Sequence, residues 1–147
     1  MRFRYAFQQI VDLKGNERTQ AEWVLGEAVG RLNVEQSTLQ ELEAEKARMQ
    51  DQLSAGAEQV MSISQMQAIQ HYVSHLERQI AKKLDDVRRA QHCVEERQQA
   101  LEGKMLDEKV WTKAREKAQQ LHELLMLKKE QEELDEIASV RFARPSL

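Results

Sequence analysis

Proline is all but missing from this sequence. Only one stands among the 147 residues, at position 145, so nothing earlier removes a backbone donor from a helix. Glycine is nearly as scarce: the five are scattered at 15, 26, 30, 56 and 103, with no cluster of the kind that cradles phosphate. A lone cysteine, Cys93, excludes an intrachain disulfide and suits a reducing cytosol. Aromatic residues amount to 5%, which argues against an ordinary globule. No apolar run reaches the roughly 18 residues that a bilayer-spanning helix needs. The opening "MRFRYAFQQIV" lacks the apolar stretch and small-residue cleavage site of a secretion signal.

What is present is charge and helix-forming side chains. Charged residues make up 32%, and Glu, Gln, Lys, Arg, Ala and Leu dominate, the mixture of long helices and coiled coils. The length suits one domain. A net charge of −3 gives the chain as a whole no attraction for nucleic acid or anionic lipid. Apolar residues recur at heptad spacing in two blocks: Leu25, Ala28, Leu32, Leu39, Leu42, Met49, Leu53, then Met66, Ile69, Val73, Leu76, Ile80, Val87, Ala90, Val94, Leu101. Such alternating steps of three and four mark a helix–helix seam. The one convincing break is "SAGAEQVMSIS", residues 54–64, where Gly56 and three serines favour a turn and Ser64 is a candidate cap for the second helix.

An antiparallel hairpin requires facing residue numbers to add to a constant. Leu53 with Met66, Leu39 with Ile80, Leu32 with Val87 and Leu25 with Val94 each add to 119, while Met49 with Ile69, Leu42 with Leu76 and Ala28 with Ala90 add to 118. Two seams in step favour one folded-back hairpin, with a parallel homodimer as the alternative. The same sum sets Glu35 opposite Lys83, a polar layer that fixes register at some cost in stability. The expected organisation is all-α and a single domain over 1–147: a helix over about 3–53, a turn over about 54–64, a helix over about 65–138 and a frayed tail over 139–147.

Carried to the ends, the sum sets Phe3 near residue 116 and Phe7 opposite Trp111. The first helix runs out there, whereas the second continues past Ala118. At about 1.5 Å per residue the paired part is roughly 75 Å long and the overhang roughly 30 Å. That overhang holds Leu121, Leu124, Leu125, Met126 and Leu127, apolar residues without a partner in their own chain and therefore a sticky patch. It finishes in "KKEQEELDEIASVRF", with two positive and five negative charges between Lys128 and Glu136. A helix polar on most faces relies on something beyond its own chain, and fraying is expected past about Leu127 in the isolated protein.

A two-helix hairpin offers no concave pocket in which to assemble nucleophile, base and orienter, so no enzyme activity, cofactor or small-molecule substrate is expected. His71 and His75 stand four apart on one helical face, a spacing able to pinch a metal, but without a third ligand they read as solvated residues and no metal site is expected. Cys93, beside the seam residue Val94, reads as inert. Basic segments such as "KKLDDVRR" are diluted by acids, unlike the dense basic region of a zipper-type DNA reader, so nucleic acid is not expected as a partner. Phe3, Phe7 and Ile10 share a face near Arg2 and Arg4. Membrane-surface contact is one account of that face, and packing against Trp111 and the tail is the favoured one.

The termini add what periodicity does not. "FRYAFQQIVDLKGNERTQAE" at residues 3–22 resembles the opening of the FliJ family of flagellar export proteins, and "LDEKVWTKAREKAQQ" with "KKEQEELDEIASVRF" resembles the C-terminal helix of its Gram-positive-like members. The resemblance implies an antiparallel coiled coil similar to the central stalk of rotary ATPases, serving flagellum biogenesis and motility with no catalysis of its own. It implies a cytoplasmic protein at the inner face of the cell membrane at the flagellar base. The implied partners are the hexameric flagellar export ATPase, a membrane export-gate protein and, less directly, export chaperones. For the ATPase ring the implied contacts are Leu121, Leu124, Leu125 and Met126, supported by Phe3, Phe7 and Ile10. For the gate, the positions matching the family's helical face are Tyr72, Leu76, Gln79 and Lys83; Gln79 and Lys83 depart from the small and imidazole residues of that pattern. Alternatives are a generic coiled-coil scaffold or membrane-surface tether, and the equivalent stalk of a virulence type III secretion system.

Overall fold

The computed structural model describes residues 2–58 and 60–143. Nearly all of them lie in two helices, α1 (Gln8–Glu58) and α2 (Ile63–Ala143), which pack against each other as an antiparallel hairpin, with no strand among the described residues. Contacts fall into two compact units, one formed by Met1–Thr19 with Gly103–Leu147 and the other by Gln20–Glu102.

In the Gln20–Glu102 unit the heptad spacing becomes the seam. Ala28, Leu32, Val73 and Leu76 are its buried core, and every other seam position from Leu25 to Leu53 and from Met66 to Leu101 is half-buried. Two helices meet along one line and leave each seam residue an open flank, so half-burial is the ordinary outcome. The polar layer forms as the register requires: Lys83 Nζ donates to Glu35 at 2.8 Å. Lys46 and Glu77 add an ion pair at 3.6 Å.

The turn is shorter than expected and differently capped. Helix α1 continues through Gly56 to Glu58, and α2 begins at Ile63. Ser62, not Ser64, caps α2 through a reciprocal pair: the Gln65 N–H donates to Ser62 Oγ at 3.1 Å and the Ser62 N–H to Gln65 Oε1 at 3.3 Å, the capping-box arrangement. Ser64 with Gln67 has the same letters, so sequence alone left the choice open. Gly56 is buried because Met61 folds onto it; a Cβ there would meet the Met61 Cε at 2.6 Å. The glycine read as a helix breaker is therefore a helix residue that admits a neighbour.

In the other unit the helix starts at Gln8 rather than near residue 3, because aromatic packing claims the first turns. Phe3, Tyr5 and Phe7 pack in series, at ring separations of 6.5 and 5.7 Å, and the Phe7 carbonyl accepts the N–H groups of Ile10 and Val11. Phe7 meets Trp111 edge-on at 6.0 Å, as the facing-number rule demands. Phe3 does not stop near residue 116 but reaches His122, at 5.4 Å between rings. An extended residue advances about 3.3 Å against 1.5 Å for a helical one, so the non-helical start carries Phe3 roughly six helical residues further along α2. At its far end α2 runs to Ala143, beyond the expected 138, since no breaker precedes Pro145. The remainder of the expected frayed tail, 144–147, lies outside the described residues.

Gly26 and Gly30 sit inside α1 with open space out to 4 Å where a Cβ would stand and no positive φ. Helical glycine costs about 0.5–1 kcal/mol relative to alanine. Gly26→Ala with Gly30→Ala is thus expected to raise the unfolding free energy by about 1–2 kcal/mol, read as a higher midpoint in thermal circular-dichroism melts.

Candidate functional site

Two surfaces were expected to carry function, and the structure arranges them differently. At the C-terminal part of α2, Leu121, Leu124 and Leu125 are 59%, 64% and 57% exposed, an unusual degree for leucines so close in sequence. Met126 is half-buried and borders a surface groove with Phe3, His122 and Leu127. It is partly covered because Phe3 reaches this far. Phe7 is about half exposed, whereas Phe3 and Ile10 are half-buried. Arg115 anchors the chain start on α2, its Nε donating to Gln8 Oε1 at 2.7 Å and its guanidinium lying 5.9 Å from the Phe3 ring centre. Lys14 pairs with Asp107 at 2.8 Å and Arg18 with Glu108 at 2.6 Å, so charges brace the same junction.

The exposed apolar surface runs on past the residues named from sequence. Leu134, Ile137, Val140 and Phe142 are also exposed. They were missed because the high charge of "KKEQEELDE" masked a readable signal, the seven-residue step from Leu127 to Leu134. Trp23, 75% exposed on α1, was missed too, since it lies off the seam.

The second surface, in the Gln20–Glu102 unit, is split by the seam. Tyr72 is exposed and its hydroxyl lies 3.4 Å from Glu45. Gln79 is half-buried. Leu76, by contrast, is the most buried residue of the core at 4%. Lys83 is engaged by Glu35, and by Asp86 at 3.4 Å. The four positions stand on α2, but only Tyr72 presents an open side chain.

Hydrogen bonding to Glu35, aided by Asp86, holds the Lys83 ammonium above its ordinary 10.5, against a smaller desolvation that lowers it. A raised lysine pKa contributes stability that is complete below the unfolded value and lost as pH rises through the folded one. Melting temperature is accordingly expected to fall above pH 10.5 more steeply in the native sequence than in Lys83→Met, in paired melts across that range.

His71 and His75 are exposed, and among the described residues no group of three or more His, Cys, Asp or Glu side chains is placed to hold a metal. Cys93 is half-buried. No helix among the described residues is long and apolar enough to cross a membrane.

No curated protein matches the chain significantly. Among solved structures, CT670 of Chlamydia trachomatis, described as a candidate YscO homologue, shares the fold with a TM-score of 0.69 over 97% of this chain and 96% of its own, at 19% identity. The sequence matches the profile described as "Flagellar FliJ protein" over residues 3–147, nearly its whole length. On that match the chain belongs to the FliJ family, whose members are non-enzymatic components of the type III export apparatus.

Proposed function

We propose that this chain couples the flagellar export ATPase ring to the membrane export gate. The observation that carries the reading is the row of exposed leucines at 121, 124 and 125, far more apolar surface than a solvated helix needs. In this reading that row, with Met126 beside it, seats in the ring, and Phe3, Phe7 and Ile10 back it. Hydrolysis belongs to the partner; this chain biases ring assembly or turnover. Tyr72 is the leading gate contact, with Gln79 at its margin, while Leu76 and Lys83 support that face from within. Handling of export chaperones, a place at the inner membrane face of the flagellar base, and a bearing on motility and chemotaxis belong to the same reading. The fold likeness to a YscO-type protein makes the virulence stalk the nearest rival, and the family match favours the flagellar branch.

Mixing the purified chain with its flagellar ATPase tests the seating. Leu124→Ser with Leu125→Ser is expected to abolish co-migration on gel filtration without moving the melting midpoint, because both leucines are exposed. Tyr72→Ser is expected to keep co-migration. Unchanged binding by the double variant would overturn the assignment of the row.

A further inference from the structure

The exposed part of α2 carries a second heptad face. Positions 120, 124, 127, 131, 134, 138 and 141 alternate in steps of four and three, and Leu124, Leu127 and Leu134 on it are 64%, 61% and 60% exposed. Ile137 flanks it and is 56% exposed. This face is not the hairpin seam, whose sevens counted from Met66 and Ile69 fall at 122, 125, 129 and 132. A heptad face demands a partner helix, and α1 supplies none here.

The facing-number rule that holds in the Gln20–Glu102 unit identifies a suitable one. Set antiparallel against itself, the face puts Leu127 opposite Leu134 and Gln120 opposite Arg141 at a sum of 261, with Leu124 opposite Ala138 and Gln131 opposite Gln131 at 262. Apolar meets apolar and polar meets polar at each step. On one flank Lys128 comes beside Asp135, at a sum of 263, and symmetry makes each such pair twice. Asp135 is already steadied there, since Gln131 Nε2 donates to its Oδ1 at 3.1 Å. Another protein's helix would need only matching apolar residues; matching order under reversal is a property that a second copy requires.

We infer that this face pairs antiparallel with the same face of a second copy of the chain, about a two-fold axis at Gln131. The pairing does not depend on the ATPase reading, although it would occupy overlapping surface. The overlap, residues 120–142, is about 35 Å of helix, and such an interface falls at or below about 1,200 Å² in total, the range of weak and transient contacts. Glu130, next to the axis, meets its own copy, and this like-charge contact weakens the dimer further. The expected association is reversible, with a dissociation constant on the order of micromolar or weaker.

Light scattering of the chain alone over a wide concentration range is expected to show monomer passing to dimer. Leu127→Glu should hold it monomeric with an unchanged melt of the hairpin, and Glu130→Gln should tighten the dimer several-fold. In a Cys93→Ser background, Gln131→Cys is expected to give a disulfide-linked dimer on mild oxidation, while Glu132→Cys, turned about 100° away from the face, gives little. Equal cross-linking at the two positions, or a dimer indifferent to Leu127→Glu, would place the contact elsewhere and overturn the inference. So would a chain that stays monomeric alone yet binds the ATPase, an outcome that leaves the ATPase reading intact.

Discussion

Leu76→Ala is expected to lower the unfolding free energy by about 2–3 kcal/mol, and Tyr72→Ala, four residues away on the same helix, by less than about 0.5 kcal/mol. Their spacing puts the two on one face of α2, yet Leu76 is 4% exposed and Tyr72 is 42%. Truncating Leu76 strips apolar packing from the seam and leaves a cavity. The lower end of the leucine-to-alanine range applies because a two-helix seam has no second layer to hold that cavity open. Tyr72 gives up one long hydrogen bond to Glu45, at 3.4 Å, and an edge-on ring contact with the exposed His75, at 6.4 Å. Thermal melts of both variants decide the matter, with a drop of about 5–10 °C for Leu76→Ala. Equal melting by the two would mean that Leu76 is not held in the seam and that the four-residue gate face stands as one surface.

The seam was legible because antiparallel pairing converts spacing into arithmetic. Leu32 and Leu76 are buried, and Glu35 meets Lys83, because a sum near 119 leaves no other register in which apolar residues face one another for the length of both blocks. Local chemistry decided the ends. Two serines, each with a glutamine three residues on, compete for one cap, and the earlier one wins as Met61 settles on Gly56. Phe3, Tyr5 and Phe7 alternate in twos, and their ring packing outweighs the helix-forming letters around them.

The candidate surfaces were legible to a lesser degree, for a related reason. A step of three or four says that a side chain faces a helix but not which helix. Leu76 and Lys83 satisfy the spacing of a gate-facing row and of the hairpin seam alike, and burial takes them for the seam. The exposed leucines of the overhang escape that ambiguity, because the arithmetic exhausts α1 before it reaches them. Met126 is the exception, drawn toward Phe3 by an extended start that no helical count anticipates.

Ending the chain after Gln120 is expected to abolish its effect on turnover by the flagellar ATPase while leaving the hairpin folded. The seam residues, Leu25 to Leu53 and Met66 to Leu101, all precede the cut. So do Trp111 and Arg115, which hold Phe7 and Gln8; at the chain start, Phe3 alone is deprived of a ring partner, His122. The residues removed carry exposed leucines at 121, 124, 125, 127 and 134, surface that contributes little to the fold and is open to a partner. The measurement is steady-state hydrolysis by the ATPase alone, with the full chain, and with the shortened one, each at matched concentration and confirmed helical content. A several-fold rise seen only with the full chain is the expected result. Stimulation by the shortened chain as well would shift the ring contact to Phe7 and Ile10 near the start of α1. If neither form changed turnover nor co-migrated with the ATPase, coupling to the ring would fail as a reading, and a scaffold role within the export apparatus would replace it.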